Sequence, residues 1–124
     1  MLSACKLIGF VPTTDSARSR QFYEGKLGFK FVSDDQFALV IQTGESMIRI
    51  VKGAKFTPAQ YTVMGWEVTD IDAMVKWLSG RGIIFEKYPF VQDQKQGIWT
   101  TPNGDKVAWF KDPDGNVLSL SQHV

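Results

Sequence analysis

The chain carries the same pattern of residues twice, once in each half. In each half an aspartate precedes a predicted helix, an aromatic residue follows seven positions later, and a glycine ends the helix. A phenylalanine stands three positions beyond each glycine, and an aliphatic residue lies seven positions before each aspartate. The matching pairs are Ile8 and Val63, Asp15 and Asp70, Phe22 and Trp77, Gly28 and Gly82, and Phe31 and Phe85. Such self-similarity indicates two copies of one structural unit.

Each half predicts one strand, one helix and then three strands. The first half predicts strands at Lys6–Val11, Lys30–Ser33, Phe37–Ile41 and Met47–Val51, with Pro12 closing the first strand and a helix from Thr14 or Asp15 to Gly28. The second half predicts a strand at Tyr61–Val68, a helix from Asp70 to Gly82, a strand starting at Ile83–Glu86, and two hairpins that turn at Asn103-Gly104 and at DPDGN. The predicted fold class is therefore α+β, with one domain over residues 1–124 and two βαβββ modules, 1–54 and 60–124.

Composition and charge exclude two classes of partner. The 14 basic and 13 acidic residues give a net charge of +1, so we expect no nucleic acid. No apolar stretch approaches the roughly 18 residues of a membrane span, and the N-terminus does not resemble a secretory signal. The single cysteine, Cys5, suits a reducing cytosol, so we expect a cytoplasmic protein with this thiol buried in the first strand.

Three segments resemble the vicinal oxygen chelate superfamily, which includes glyoxalases, bleomycin resistance proteins and dioxygenases. They are TTDSARSRQFYEGKLGF, EVTDIDAMVKWLSGRG and WFKDPDGNVLSLSQ, and the resemblance covers nearly the whole chain. It implies paired βαβββ modules that form one curled mixed sheet, a cup around one cavity, with the helices outside. The resemblance also implies a homodimer. The DPDGN motif itself is interpreted as a structural turn, because proline fixes φ and Asp-Gly-Asn tolerates left-handed backbone geometry.

The four positions that hold a metal in metal-dependent relatives carry no suitable ligands here. By spacing, the resemblance places these positions on Ile8, Arg49, Val63 and Ser119. Divalent metals in such sites require imidazole nitrogens or carboxylate oxygens. Two of the four side chains are aliphatic, the arginine offers only donors, and the serine is a weak neutral ligand. We therefore expect no metal and no cofactor.

Strand alternation predicts which other side chains share the inner face of the cup with these four. They are Lys6 and Phe10 on the first strand, Met47 and Val51 on the fourth, Gly65 and Glu67 on the fifth, and Val117 and Ser121 on the last. Trp66 has the opposite parity, and we expect it to pack under a helix. The inner face is thus an apolar hollow with a few polar points, which is typical of a small-molecule pocket.

Arg49 is the strongest candidate for a ligand-binding residue. An arginine between two isoleucines on a central strand needs an anionic partner, because an unpaired buried charge is costly. That partner is either a ligand carboxylate or phosphate, or an internal carboxylate of Glu67 or Glu45. Ser119 likewise either donates to a ligand or is satisfied within its strand.

Trp99 and Trp109 lie on the hairpin strands that border the cavity in relatives. Each either stacks on a planar ligand or packs within the core. The loop Pro89–Gln96 is either a lid or a solvated connection, and its polar residues favour the second. His123, the single histidine, is interpreted as an ordinary residue of a frayed terminus, so no base for a nucleophilic serine is expected.

Three functions remain open. The first is metal-free binding of a small, anionic or planar organic molecule, similar to sequestration by the bleomycin resistance branch. The second is a metal-independent enzyme on the same scaffold, with Arg49 and Glu67 supplying electrostatic and acid-base chemistry. The third is a metal-dependent lactoylglutathione lyase or dioxygenase, which the missing ligands argue against. We favour binding over catalysis, because no acid-base pair with a tuned pKa can be identified.

Overall fold

A computed structural model describes residues 1–53 and 55–124. The chain divides into two compact units, Met1–Thr57 and Pro58–Val124. The prediction that both modules belong to a single domain stays a prediction. Within the described residues, no helix is both long and apolar enough to span a membrane.

The first unit contains one helix and a four-stranded mixed sheet. Its elements are β1 (Ile8–Thr13), α1 (Ser16–Arg20), a π-helical segment that continues α1 (Gln21–Lys26), β2 (Lys30–Asp34), β3 (Ala38–Thr43) and β4 (Ser46–Lys52), preceded by a short 3-10 turn at Leu2–Ala4. The strand order is β1-β4-β3-β2. The outer strand β1 runs parallel to β4, and the remaining pairs are antiparallel.

The second unit repeats this topology. Its elements are β5 (Thr62–Glu67), α2 (Ile71–Gly80), β6 (Ile98–Thr100), β7 (Lys106–Lys111) and β8 (Val117–Gln122). The strand order is β5-β8-β7-β6, and β5 runs parallel to β8. The two βαβββ modules predicted from the internal repeat are confirmed.

The two aspartates of the repeat cap their helices as predicted. Each carboxylate accepts a hydrogen bond from the N–H group three residues further along, at 3.1 Å in both Asp15 and Asp70. The glycines that follow the helices have positive φ angles, 79° at Gly28 and 91° at Gly82. Side-chain acceptors at the start and left-handed glycines at the end therefore set the length of both helical segments.

Three local predictions are wrong. β1 continues through Pro12 to Thr13, because an edge strand tolerates a residue without an N–H group. Ile83–Glu86 forms no strand and contributes only a single bridge between Phe85 and Phe110. Cys5 precedes β1 and is exposed rather than buried in it.

The DPDGN turn is built around a buried carboxylate. Oδ1 of Asp112 accepts hydrogen bonds from the backbone N–H groups of Asp114 and Asn116, both at 2.9 Å, and the Asn116 side-chain amide donates to Oδ2 at 2.8 Å. Gly115 has a φ of 89°, which a residue with a Cβ adopts only under strain. The structural interpretation of the motif is supported, since the turn sets the register between β7 and β8.

Each sheet has one face buried and one face open. In the first unit, Val11 and Ile50 are at most 1% exposed, and α1 contacts β4. In the second unit, α2 contacts β7 and β8, and Trp66 packs against the buried ring of Phe110, with centroids 6.5 Å apart. The open faces carry most of the residues that the sequence assigned to the cavity. The placement of Lys6 on the first strand is wrong, because β1 begins at Ile8, and Val117 is buried.

Candidate functional site

The open face of the first sheet has an apolar row on its edge strand. Ile8 pairs with Met47 across the β1–β4 ladder, and Phe10 pairs with Arg49. Cross-strand partners project from the same face, so these four side chains are neighbours, as alternation predicted. Ile8 is 47% and Phe10 is 64% exposed, which leaves a hydrocarbon surface of the first unit accessible.

Arg49 lies in the middle of this face. It is half-buried and stands between Phe10 on β1 and Val40 on β3. In the described part of the first unit, residues 1–53 and 55–57, no carboxylate forms an ion pair with its guanidinium. The internal pair with Glu45 considered from the sequence is therefore not formed.

The electrostatic effect of Arg49 reaches Asp35, at the start of the β2–β3 connection. Backbone N–H groups of Ala38 and Phe37 donate to the Asp35 carboxylate at 2.9 and 2.7 Å and are the main cause that lowers its pKa. The positive charges of Arg49 and Lys52 lower the pKa of Asp35 further.

Two rows of cross-strand neighbours form the open face of the second sheet. One row runs from Gly65 through Ser119 to Trp109. The other row is made of Glu67, Ser121, Val107 and Trp99 in successive strands. Val63 is 40% exposed on the same strand as Gly65 and Glu67. Gly65, Glu67, Ser119, Ser121, Trp99 and Trp109 therefore share one sheet face, whereas Val63 lies at a register shift and is not paired in the β5–β8 ladder.

Ser119 has space because its neighbour is a glycine. A Cβ added to Gly65 would collide with the Ser119 hydroxyl and would lie 3.1 Å from its carbonyl oxygen. Within residues 58–124, the Ser119 hydroxyl makes no side-chain hydrogen bond. The alternative of a serine satisfied within its own strand is not realised by the second unit.

Four aromatic rings form the most distinctive feature of the second unit, and we call Tyr88, Phe90, Trp99 and Trp109 the aromatic cluster. The rings of Tyr88 and Phe90 are stacked, with an interplanar angle of 8° and centroids 5.5 Å apart. Phe90 meets both tryptophans edge-to-face at 5.7 Å, and the two indoles are 5.9 Å apart. Phe90 remains 56% exposed, so the cluster presents an aromatic surface outward.

Polar contacts fix the cluster in place. The Trp109 indole N–H donates to the Thr62 hydroxyl at 3.1 Å, which orients that ring from the neighbouring part of the sheet. Gln92 exchanges two hydrogen bonds with the backbone of Thr100, at 2.9 and 3.0 Å, and Val91 is buried. The loop Pro89–Gln96 is therefore attached to β6 rather than freely solvated as favoured from the sequence.

Sequence reasoning found the two tryptophans of the cluster and missed Tyr88 and Phe90. The signal was the sequence YPF, in which two aromatic residues flank a proline inside a polar segment. Proline keeps the residue before it extended, and that conformation places the two flanking rings on the same side. The alternation of side chains along a strand makes no prediction for these two rings, because residues 86–96 lie outside the regular strands.

Glu67 borders a second hollow of the same unit. A surface depression of about 680 Å³ lies between the end of β5 and α2, and Met74 and Trp77 line it together with Glu67. No member of the aromatic cluster lines this depression. Glu67 therefore lies both on the open sheet face and at the edge of the depression.

The residues present do not fit a metal ion. Ile8 and Val63 are placed on the open faces without donor atoms, and Arg49 and Ser119 supply no anionic oxygen. Across residues 1–53 and 55–124, no group of three or more histidine, cysteine, aspartate or glutamate side chains could hold a metal.

Comparison with known proteins identifies the family. The sequence model of the Glyoxalase/Bleomycin resistance protein/Dioxygenase superfamily matches residues 7–120. The chain belongs to this superfamily. The resemblance of the three segments is confirmed, and so is the predicted fold of two βαβββ modules with mixed sheets.

Solved structures of the superfamily support the same fold. TnmS3, an antibiotic binding protein from Streptomyces sp. CB03234, is 24% identical with a TM-score of 0.76, over 100% of this chain and 99% of that one. A superfamily member from Sphaerobacter thermophilus is 22% identical with a TM-score of 0.76, over 99% and 100%. Lactoylglutathione lyase from Agrobacterium tumefaciens is 14% identical with a TM-score of 0.71, over 96% and 93%. No curated protein matches the chain.

Proposed function

We propose that this protein binds a small organic molecule that is planar or anionic, and that it does so without a metal. The observation that carries the proposal is the aromatic cluster, whose outermost ring, Phe90, is 56% exposed although three other rings support it. Exposed and rigid aromatic rings bind planar ligands at a low entropic cost, because few rotatable bonds are immobilised. The antibiotic binding by TnmS3 is consistent with this use of the fold.

The anionic preference is assigned to Arg49. In the described part of its own unit the guanidinium has no carboxylate partner, so its donors are available for a carboxylate or phosphate of the ligand. Ile8, Phe10 and Met47 supply apolar surface beside it. Val63, Glu67, Ser119 and Ser121 contribute the polar and aliphatic positions of the second sheet.

A screen of planar aromatic compounds tests the proposal. Thermal shift is measured for antibiotics, planar aromatics and small acids with and without added metal, since a ligand of the folded state raises the melting temperature by mass action. Hits are then titrated by quenching of tryptophan fluorescence. Binding that persists in the presence of a chelator supports the proposal, whereas hits that all require a metal would contradict it.

Variants locate the surface that binds. Phe90→Ala and Trp109→Phe remove stacking area and hydrogen-bonded orientation, and we expect Phe90→Ala to weaken binding about tenfold, since ring contacts contribute about 0.5–1.5 kcal/mol beyond burial. Trp77→Ala is the matched control, because this indole is 49% exposed on α2 and lies outside the cluster. Equal affinity of the Phe90→Ala and Trp77→Ala proteins would place the ligand elsewhere.

Arg49→Ala tests the anionic preference separately. Comparison of a ligand carboxylate with its neutral amide should show a preference of about 10- to 100-fold in the unmodified protein, because hydrogen bonds to charged groups contribute about 1.5–3 kcal/mol. The variant should bind both forms alike. A preference that survives in Arg49→Ala would reduce this residue to a structural role.

The proposal extends to assembly and location. We propose a homodimer, on the basis of the family resemblance, with no nucleic-acid or membrane partner. We also propose a cytoplasmic location, because the single cysteine is an exposed thiol that suits a reducing compartment. Light scattering at several concentrations tests the dimer, and a monomer at micromolar concentration would overturn that part.

A further inference from the structure

The C-terminal end of β8 brings a serine, a histidine and an aspartate into one hydrogen-bonded chain. Nε2 of His123 lies 3.0 Å from the Ser121 hydroxyl, and Nδ1 lies 3.3 Å from Oδ2 of Asp105. The sequence interpretation of His123 as a residue of a frayed terminus is therefore wrong. Each nitrogen of the imidazole has a different partner, one hydroxyl and one carboxylate.

The strand geometry explains why these three groups meet. Ser121 lies near the end of β8, and His123 follows directly after the last residue of that strand. Asp105 immediately precedes β7, the neighbouring strand, in which Lys106 pairs with Gln122. The end of one strand and the start of the next therefore lie side by side, and their side chains are within hydrogen-bond reach.

The carboxylate is held independently of the histidine. The backbone N–H of Val124 donates to Oδ1 of Asp105 at 2.9 Å and is the main cause that lowers the pKa of this carboxyl, which the hydrogen bond with His123 lowers further. The Asp105 N–H donates to the Thr101 hydroxyl at 3.1 Å. An ionised, anchored carboxylate accepts a hydrogen bond from Nδ1–H, and this leaves Nε2 free to accept the Ser121 proton.

We propose that Ser121, His123 and Asp105 form a nucleophilic site that hydrolyses small carboxylic esters. The Ser121 oxygen attacks the ester carbonyl while its proton passes to Nε2 of His123. The carbonyl bond to the leaving alcohol breaks, and the alcohol takes that proton. Water then attacks the acyl-serine and gives a proton to Nε2. The bond between the acyl carbon and the Ser121 oxygen breaks, Nε2 returns the proton to that oxygen, and the carboxylic acid is released.

The surroundings of Ser121 indicate the class of ester. Val107 and then Trp99 follow Ser121 across the sheet, so an aromatic leaving group would lie over an apolar and aromatic row. Glu67 is the cross-strand neighbour on the other side, and its charge disfavours an anionic acyl group. The site therefore fits neutral aryl esters. This aryl preference rests on the proposed ligand surface, whereas the acyl transfer does not.

Access does not require a conformational change. The side chains of His123 and Asp105 are 50% and 23% exposed, and Ser121 is half-buried. A small ester can therefore reach the hydroxyl while the carboxylate remains partly shielded from solvent.

Hydrolysis of 4-nitrophenyl acetate, followed by peptide mass spectrometry, tests the proposal. We expect an acetyl group and a fluorophosphonate label on Ser121, and a fall in rate of about 100-fold in Ser121→Ala and in His123→Gln, because general-base catalysis contributes about 10²- to 10⁴-fold. Ser79→Ala is the matched control, since Ser79 is an exposed serine of α2. Circular dichroism confirms that each variant is folded.

Two results would overturn the site. Unchanged hydrolysis in Ser121→Ala together with loss in His123→Gln would reduce the activity to simple imidazole catalysis by the single histidine of the chain. Labelling of serines other than Ser121 at an equal rate would contradict the nucleophile. If Trp99→Ala loses the preference for aryl over alkyl esters while Ser121 is still labelled, both parts are supported. If Trp99→Ala keeps the preference for aryl over alkyl esters, the proposed aromatic surface is contradicted but the acyl transfer to Ser121 is not.

Asp105→Asn tests the positioning residue. The amide preserves size but presents a different acceptor to Nδ1–H, so we expect kcat to fall about tenfold or more with little change in KM. If Asp105 has a purely structural role, the variant should instead have a lower melting temperature, and kcat should not fall while KM stays unchanged. That outcome would remove Asp105 from the site.

Discussion

Removal of the buried carboxylate in the DPDGN turn should destabilise the second unit strongly, because Asp112 is 5% and Asn116 is 2% exposed. In Asp112→Ala, both the backbone N–H and the side-chain amide of Asn116 lose their acceptor, whereas the N–H of the half-buried Asp114 can reach water. A buried donor left unsatisfied costs about 1–3 kcal/mol, so two donors give a loss of about 2–6 kcal/mol.

This loss is large compared with the stability of an ordinary domain, which is about 5–15 kcal/mol. At about 4 °C per kcal/mol for a chain of this size, the melting temperature should fall by about 8–24 °C. Urea denaturation measures the free energy directly, with the m-value as a check on two-state unfolding.

The matched control is Asp72→Ala, which removes an exposed carboxylate that forms an ion pair with Lys106 at 3.5 Å. Exposed ion pairs contribute about 0–1 kcal/mol, so this change should be small. If Asp112→Ala costs no more than Asp72→Ala, the turn is not held by its carboxylate. The register of β7 against β8, which places Trp109 beside Ser119, would then need another explanation.

Three further predictions follow from particular contacts. The pKa of Asp35 and of Asp105 is lowered from 3.8, so their contribution to stability is present above pH 3.8 and is lost as the pH falls below it; Asp35→Asn should flatten the acid limb of a pH–stability curve. Gly65→Ala should cost about 1–3 kcal/mol in urea denaturation, and Ser119→Ala in the same chain should recover part of it, because the hydroxyl is the nearest obstacle. Elemental analysis of protein from metal-supplemented medium should find no stoichiometric zinc, nickel, iron or manganese, and one equivalent would contradict the proposed metal-free binding.

Much of the fold was predictable because its signals are local. The aspartate caps and the terminal glycines act within a few residues, and each is found where the pattern placed it. Because the two halves repeat one pattern, the topology of the second unit could be predicted from that of the first. The position of Pro12 was misjudged because its tolerance depends on the edge location of β1, which is a property of the assembled sheet.

For the open faces, the sequence predicted the side of the strand from which each residue projects, but not which side chains contact one another. Alternation correctly grouped Phe10 with Arg49 and Ser119 with Ser121, since a strand fixes the side from which each residue projects. It gave no indication that His123 would reach Asp105, because 18 residues and a turn separate them in sequence. Tyr88 and Phe90 were not predicted for a related reason, since the side chains of loop residues do not alternate with a fixed period.

Separation of the two faces of each sheet explains how the site chemistry can differ while the fold remains. The residues that hold the helices, such as Ile50 and Leu118, are buried on one face, and they determine stability. Ile8 and Val63 stand on the other face at 47% and 40% exposure, where a change of side chain removes little packing. A binding surface can therefore exchange metal ligands for hydrocarbon, an arginine or a serine without loss of the scaffold. For this reason, the function of such a chain must be argued from its open faces, and its family from the buried ones.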